Sequence, residues 1–264
     1  MSVIAGSTEP PNAVAPQSQP AGGLKPFQPG VRIDWPRRCV EVDGAVVLRS
    51  GYLELFACAG DFKAHESIVR VDARPLHVFQ ALGLVGLTPG RPARFDRATQ
   101  RVISARGESV MVRVRWEAEG RTHVAEAHEW MKDLAANGPA RPGRWLFTGS
   151  MRLPDGEFGA ETDGVLVATV GFPTALVVLD PGSIGAKAAK PAASSAPANA
   201  DSSSRETENP SARGAAGSSP SGDGASDAEG VYVNQPEDPQ LSADPRRVPP
   251  VGTRVTLLLS PAGG

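Results

Sequence analysis

His65, Glu66 and Ser67 stand side by side in the chain, with Lys63 just ahead of them. A serine hydrolase needs its Ser activated by a His and oriented by an acid, each delivered from a separate part of the fold. Neighbours along an extended strand point to opposite faces, so His65 does not serve Ser67 across Glu66. No G-x-S-x-G elbow occurs anywhere in the chain. We therefore expect no catalytic residue here.

Metal or ligand binding is the second chemistry these residue types suggest. The second His of H-E-x-x-H is missing after His65-Glu66. Cys58, Asp61 and His65 fall across a short turn and, with Glu66, offer thiolate, imidazole and carboxylate groups to one pocket; His128 would be the natural distant addition. The competing reading makes His65 and Glu66 a brace that bonds to the loop backbone and fixes the turn. The brace is the expectation carried forward, with a ligand pocket of Cys58, Asp61, His65 and Glu66 as the alternative. No metal and no cofactor is assigned. Cys39 and Cys58 have no C-x-x-C spacing and fall short of the roughly four thiolates of an iron–sulfur cluster. They read as small, half-buried residues on adjacent strands.

The remaining candidates are weaker. His77 sits beside the apolar stripe of a helix, and His123 and His128, five apart, face opposite sides if extended and do not stack if helical. Arg113, Arg115 and Glu117 alternate onto a solvated strand face. Trp116, Trp130 and Trp145 each lie within an apolar run and read as core.

The elements that must hold these residues centre on Tyr52–Gly86. Tyr52 to Cys58 alternates as a strand with Leu53 and Leu55 inward, Ala59-Gly60-Asp61 turns, and Ser67 to Val71 returns as a strand. Asp72 is placed to cap a helix whose first turn tolerates Pro75, whose stripe is Val78, Phe79, Leu82 and Val85, and which Gly86 closes. Upstream, Asp43-Gly44 between two alternating runs predicts a hairpin over Arg38–Arg49. Downstream, Val110, Val112, Val114 and Trp116 share one face of a strand that turns back at Glu119-Gly120. Ala125–Asn137 stays open between helix and extended chain, and residues 97–107 are too polar to place. Arg144–Met151, Val165–Val170 and Ala175–Leu179 read as strands.

Composition sets the limits. Lys and Arg number 27 against 29 Asp and Glu, a net charge of −2 that carries no footprint for nucleic acid. No apolar run approaches the ~20 residues of a membrane helix. Residues 182–230 are dominated by Ser, Ala, Gly and Pro, cannot build a core, and predict a disordered insertion. Residues 1–30 predict a disordered arm without a basic start or an apolar stretch, so they contain no secretion signal as written. Beyond the insertion, Val255, Leu257 and Leu259 alternate as a last strand that returns to the domain.

The run Phe56-Ala57-Cys58 followed by His65-Glu66-Ser67-Ile68-Val69 resembles the signature of the YdjY-like domains, bacterial domains of unassigned function. In the same order along the chain, Arg37-Arg38, Leu87-Thr88-Pro89-Gly90, Glu129-Trp130, Trp145–Ser150, Phe172–Leu176 and Pro249–Leu257 are similar to that family. The resemblance implies an extracytoplasmic location and a role beside an envelope or redox assembly, because some relatives accompany iron–sulfur modules. Taken together, the expectation is an α+β fold, a mostly antiparallel sheet with one principal helix. A single domain would span residues 31–181 and 231–260, broken by the insertion at 182–230 and followed by a tail at 261–264. Its expected function is that of a non-enzymatic accessory or interaction domain with an unidentified protein partner.

Overall fold

The structure is a computed structural model that describes residues 23–96, 98–184 and 240–263. Its chain is mostly β, with 45% in strands and 14% helical, and the strands close into an eight-stranded barrel. This overturns the α+β expectation of an open antiparallel sheet with a principal helix. The barrel strands are β1 (Cys39–Val46), β2 (Leu55–Ala59), β3 (Ser67–Val71), β4 (Glu108–Ala118), β5 (Trp145–Phe147), β6 (Val165–Ala168), β7 (Val177–Leu179) and β8 (Arg254–Pro261). Around the barrel they run β1-β8-β4-β5-β7-β6-β2-β3 and return to β1. Pairs β2–β3 and β6–β7 are parallel, and the others are antiparallel.

Closure depends on one glycine. The chain does not turn at Asp43-Gly44, as its dipeptide suggested, but runs straight through it, because β1 meets β3 there. A Cβ on Gly44 would lie 2.6 Å from the Arg70 carbonyl oxygen, so any other residue would wedge the two strands apart. The glycine therefore serves a close backbone approach. Strands β1 and β4 flank β8, and each divides its outer edge between two partners. The edge of β1 is shared by Val31–Asp34 and β3, and that of β4 by Arg121–Glu126 and β5. β8 therefore lies in the middle of the wall, where Val255, Leu257 and Leu259 are buried.

Side chains fill the interior. Val40, Val42, Val112, Val114, Leu257 and Leu259 belong to the main cluster, as do Phe56, Trp130 and Trp145. On β5, Trp145 and Phe147 join that cluster, whereas Leu146 packs into a second one with Cys58, Val165, Val178 and Phe172. The barrel wall is thus apolar on both faces there, which is why these strands read as continuous apolar runs.

The helix α1 (Pro75–Leu84) buries Val78, Ala81 and Leu82. Its ends are satisfied from a distance: Leu76 N donates to Glu161 Oε2 at 3.0 Å, and Arg38 Nε donates to the Val85 carbonyl at 2.9 Å. Glu161 belongs to a short helix, α2 (Gly159–Asp163). Asp72 is not the cap expected of it; the cap position falls on Arg74, and Asp72 pairs with Arg254 of β8. Outside the barrel, Gly51–Leu53, Leu241–Ala243, Met131–Asp133 and Gly138–Pro139 form a four-stranded sheet. Arg94–Asp96 and Arg101–Ile103 pair in the stretch that sequence left unplaced. Leu24–Gln28 pairs with Val31–Asp34, so the arm expected to be disordered through residue 30 contributes a strand. Of the predicted insertion, residues 182–184 are described, with Ile184 packed on the main cluster, and residues 185–230 fall outside the described residues. Among the described residues, no helix is long and apolar enough to cross a membrane.

Candidate functional site

The connection from β2 to β3 holds the residues singled out by sequence. Ala64–Glu66 is a single 3-10 turn, and the Ser67 hydroxyl behind it donates to the Lys63 carbonyl at 2.7 Å. Cys58 is fully buried, with Sγ 3.7 Å from the Gly60 carbonyl, and burial pushes its thiol pKa up. Asp61 is exposed and pairs with Arg70. The His65 side chain is 75% exposed, and its Nε2 lies 3.8 Å from Glu66 Oε2. Glu66 is largely buried, with Oε1 2.6 Å from Lys63 Nζ. Of the four, only His65 and Glu66 lie within ion-pair distance of each other; Asp61 is engaged with Arg70, and the Cys58 thiol is buried. Among the described residues, no group of three His, Cys, Asp or Glu side chains is arranged to hold a metal ion.

What does assemble there is a lysine cluster. Lys63 Nζ lies 2.6 Å from Glu66, 3.7 Å from Glu54 and 4.9 Å from the centre of the Phe172 ring. Burial and the neighbouring Glu66 hold the Glu54 carboxyl above its ordinary pKa, with Lys63 pulling the other way. Phe172 belongs to the second apolar cluster, so Lys63 ties this turn to the residues that cover that side of the barrel. The turn is held by the Ser67 hydroxyl on the Lys63 carbonyl and by the Lys63–Glu66 pair, not by His65 and Glu66 bonding to the loop backbone.

A second polar site went unrecognised in the sequence. Ala127–Trp130 is another 3-10 turn, which settles the ambiguous Ala125–Asn137 stretch as a turn followed by the strand Met131–Asp133. Glu126 opens it with a capping box. The Glu126 backbone N donates to Glu129 Oε1 at 2.8 Å, and the Glu126 side chain accepts the backbone N–H of Glu129. His128 Nδ1 lies 3.2 Å from Glu126 Oε2, and the ring is mostly buried. These residues line an open cleft of about 520 Å³ with Pro139, Ala140 and Arg247. The signals available were the repeat of Ala-His-Glu and the E-x-x-E spacing of Glu126 and Glu129.

Trp130 ends that turn in the core, its ring 6.2 Å from Phe56 and 5.1 Å from Trp116. Trp145 is buried as expected, whereas Trp116 is half-buried and stacks on His123 at 5.3 Å. On the outer face of β1 and β4, Arg115 holds Glu41 through two hydrogen bonds of 2.8 and 2.7 Å. Arg32 holds Asp43 in the same way, at 2.6 and 2.7 Å. Glu41 is 5% exposed, so the face assigned to solvent is covered by charge pairs. Burial pushes the Cys39 thiol beside them up to about 11. An apolar groove of about 590 Å³ opens beside α1, lined by Phe27, Phe79, Leu84, Pro89 and Phe147. Leu84 is half exposed at its rim.

The model of the YdjY domain family matches residues 31–196. No curated protein and no solved structure matches the chain.

Proposed function

The chain belongs to the YdjY domain family, and from that premise we propose that it acts as a non-enzymatic interaction domain, an accessory to a larger assembly of the envelope or redox kind. The observation that supports this reading is that Cys58, Asp61, His65 and Glu66 are engaged separately. A buried thiol with a raised pKa is a poor nucleophile and a poor metal ligand, since the thiolate is the reactive form. Glu66 is committed to Lys63, Asp61 to Arg70, and His65 faces solvent. The barrel interior is packed with side chains, so recognition has to use the surface. The groove beside α1 supports this, since it offers Phe27, Phe79, Leu84 and Phe147 to an apolar side chain of a partner protein.

Two measurements test the proposal. Thermal melts with chelator and with zinc should coincide for wild type and for His65→Ala; a zinc-dependent rise in the wild type alone supports the ligand-pocket alternative instead. A photo-crosslinking residue at Leu84, introduced in the native host, should give one discrete protein adduct that Phe79→Asp abolishes. A smear of products, or an adduct indifferent to Phe79→Asp, defeats the groove as the interface.

A further inference from the structure

The cleft at Ala127–Trp130 shares no lining residue with the groove and has a different chemistry. Its walls carry both signs of charge: Glu126 and Glu129 on the turn, and Arg247 from the segment after Leu241–Ala243. Glu126 is held by the capping box and in turn holds His128, so Nδ1 carries the proton that faces the carboxylate. Nothing else among the described residues bonds the ring, which leaves Nε2 without a partner there. Arg247 is exposed, and its guanidinium makes no ion pair among the described residues, in contrast to Arg246, which pairs with Asp244. One oxygen of Glu129 accepts the Glu126 N–H, and the other is unassigned. Pro139, Ala140 and Pro142 complete the walls and leave room for a small apolar body.

From this juxtaposition we infer that the cleft binds a small zwitterion bearing a carboxylate and an ammonium group, of the amino-acid class. The carboxylate meets Arg247, and the ammonium meets Glu129 and Nε2 of His128. A simple anion is disfavoured because two carboxylates line the site, and a simple cation leaves Arg247 unmatched. The volume of about 520 Å³ falls in the range of small-molecule clefts. The rigid Glu126–His128 pair presents the imidazole in a fixed orientation before any ligand arrives, which lowers the cost of ordering on binding.

The test is an NMR titration of the full chain that follows the His128 ring signal, assigned with His128→Gln, with His65 as an exposed internal control. The probes are glycine, acetate and methylammonium at constant ionic strength. Glycine should move His128 saturably, with acetate and methylammonium at least tenfold weaker. Arg247→Gln and Glu129→Gln should each weaken glycine at least tenfold at unchanged melting temperature, because Gln at position 129 still accepts the capping hydrogen bond. No response to glycine, an equal response to either half-probe, movement of His65 alongside His128, or full binding by either variant overturns the inference.

Discussion

Ala64-His65-Glu66 and Ala127-His128-Glu129 are the same three residues in the same single turn of 3-10 helix, yet their side chains do different work. In the first, the residue before the turn is Lys63, which takes Glu66 and leaves His65 in solvent. In the second, that residue is Glu126, which caps the turn and holds His128 at the edge of a cleft. The charge at one position decides which member of the tripeptide is used. The residue after the tripeptide decides how it is anchored: Ser67 bonds back to Lys63, and Trp130 enters the core.

The anchoring half of the comparison predicts the largest effects. Trp130 is 1% exposed and packs on Phe56 and Trp116, so Trp130→Ala should destabilise the protein by about 3–5 kcal/mol, the usual range for a buried large aromatic. Ser67→Ala removes one of two hydrogen bonds to the Lys63 carbonyl, which keeps the Glu66 N–H at 3.3 Å, and should cost about 1 kcal/mol. Denaturant unfolding of both variants checks the order. A Ser67→Ala loss as large as that of Trp130→Ala would mean that the two turns are anchored alike.

The two charge exchanges come next, and they should not mirror each other. Lys63→Glu places a third carboxylate beside Glu54 and Glu66 and should cost about 2 kcal/mol, between the values for surface and buried pairs. Glu126→Lys removes a cap at a half-exposed turn and should cost about 1 kcal/mol. If the first exchange also draws His65 toward the carboxylate introduced at position 63, as Glu126 holds His128, the His65 ring signals should shift from their wild-type positions in the NMR spectrum. An unchanged His65 with equal losses from both exchanges would break the claim that the preceding residue sets the pattern.

Several strands were legible, the barrel was not, and the misreadings share a cause. Alternation placed Val110, Val112, Val114, Val255, Leu257 and Leu259 inward, because a one-residue slip would move each strand's whole set to the wrong face. Asp43-Gly44 looked like a turn because local conformation favours one there, and only contact with Arg70, on a strand much further along the chain, explains the glycine. The same holds for α1, whose caps are Glu161 and Arg38, neither of them within reach of a local pattern. Barrel closure is itself non-local: the pairing of Gly44 with Val71 leaves no signal in either segment alone. At the candidate site, sequence gave the brace to His65 and Glu66, whereas Glu66 pairs with Lys63 and His65 is exposed. Lys63 sits just before the tripeptide, and its partners Glu54 and Phe172 come from other segments.

The smallest effect is a pH dependence confined to the first turn. Glu54 sits 3.7 Å from Lys63, and burial together with Glu66 raises its pKa in the folded chain. A folded-state pKa above the unfolded one means that the native protein binds more protons than the unfolded chain between those two values. Stability should therefore fall as pH rises from the ordinary carboxylate range through the folded pKa of Glu54, then level off. Below the ordinary range Glu54 is protonated in both states and adds no slope. Glu54→Gln mimics the protonated side chain at every pH, so it should match the wild type in acid and exceed it slightly at neutral pH. Asp96 is shifted downward by its bond from Thr99, and Asp244, against its own desolvation, by Arg246. Both contribute the opposite slope at lower pH, but they act equally in the two proteins and cancel in the difference. Urea melts from acid to neutral pH measure both proteins, and a Glu54→Gln curve parallel to the wild type throughout would show that the lysine balances both carboxylates fully.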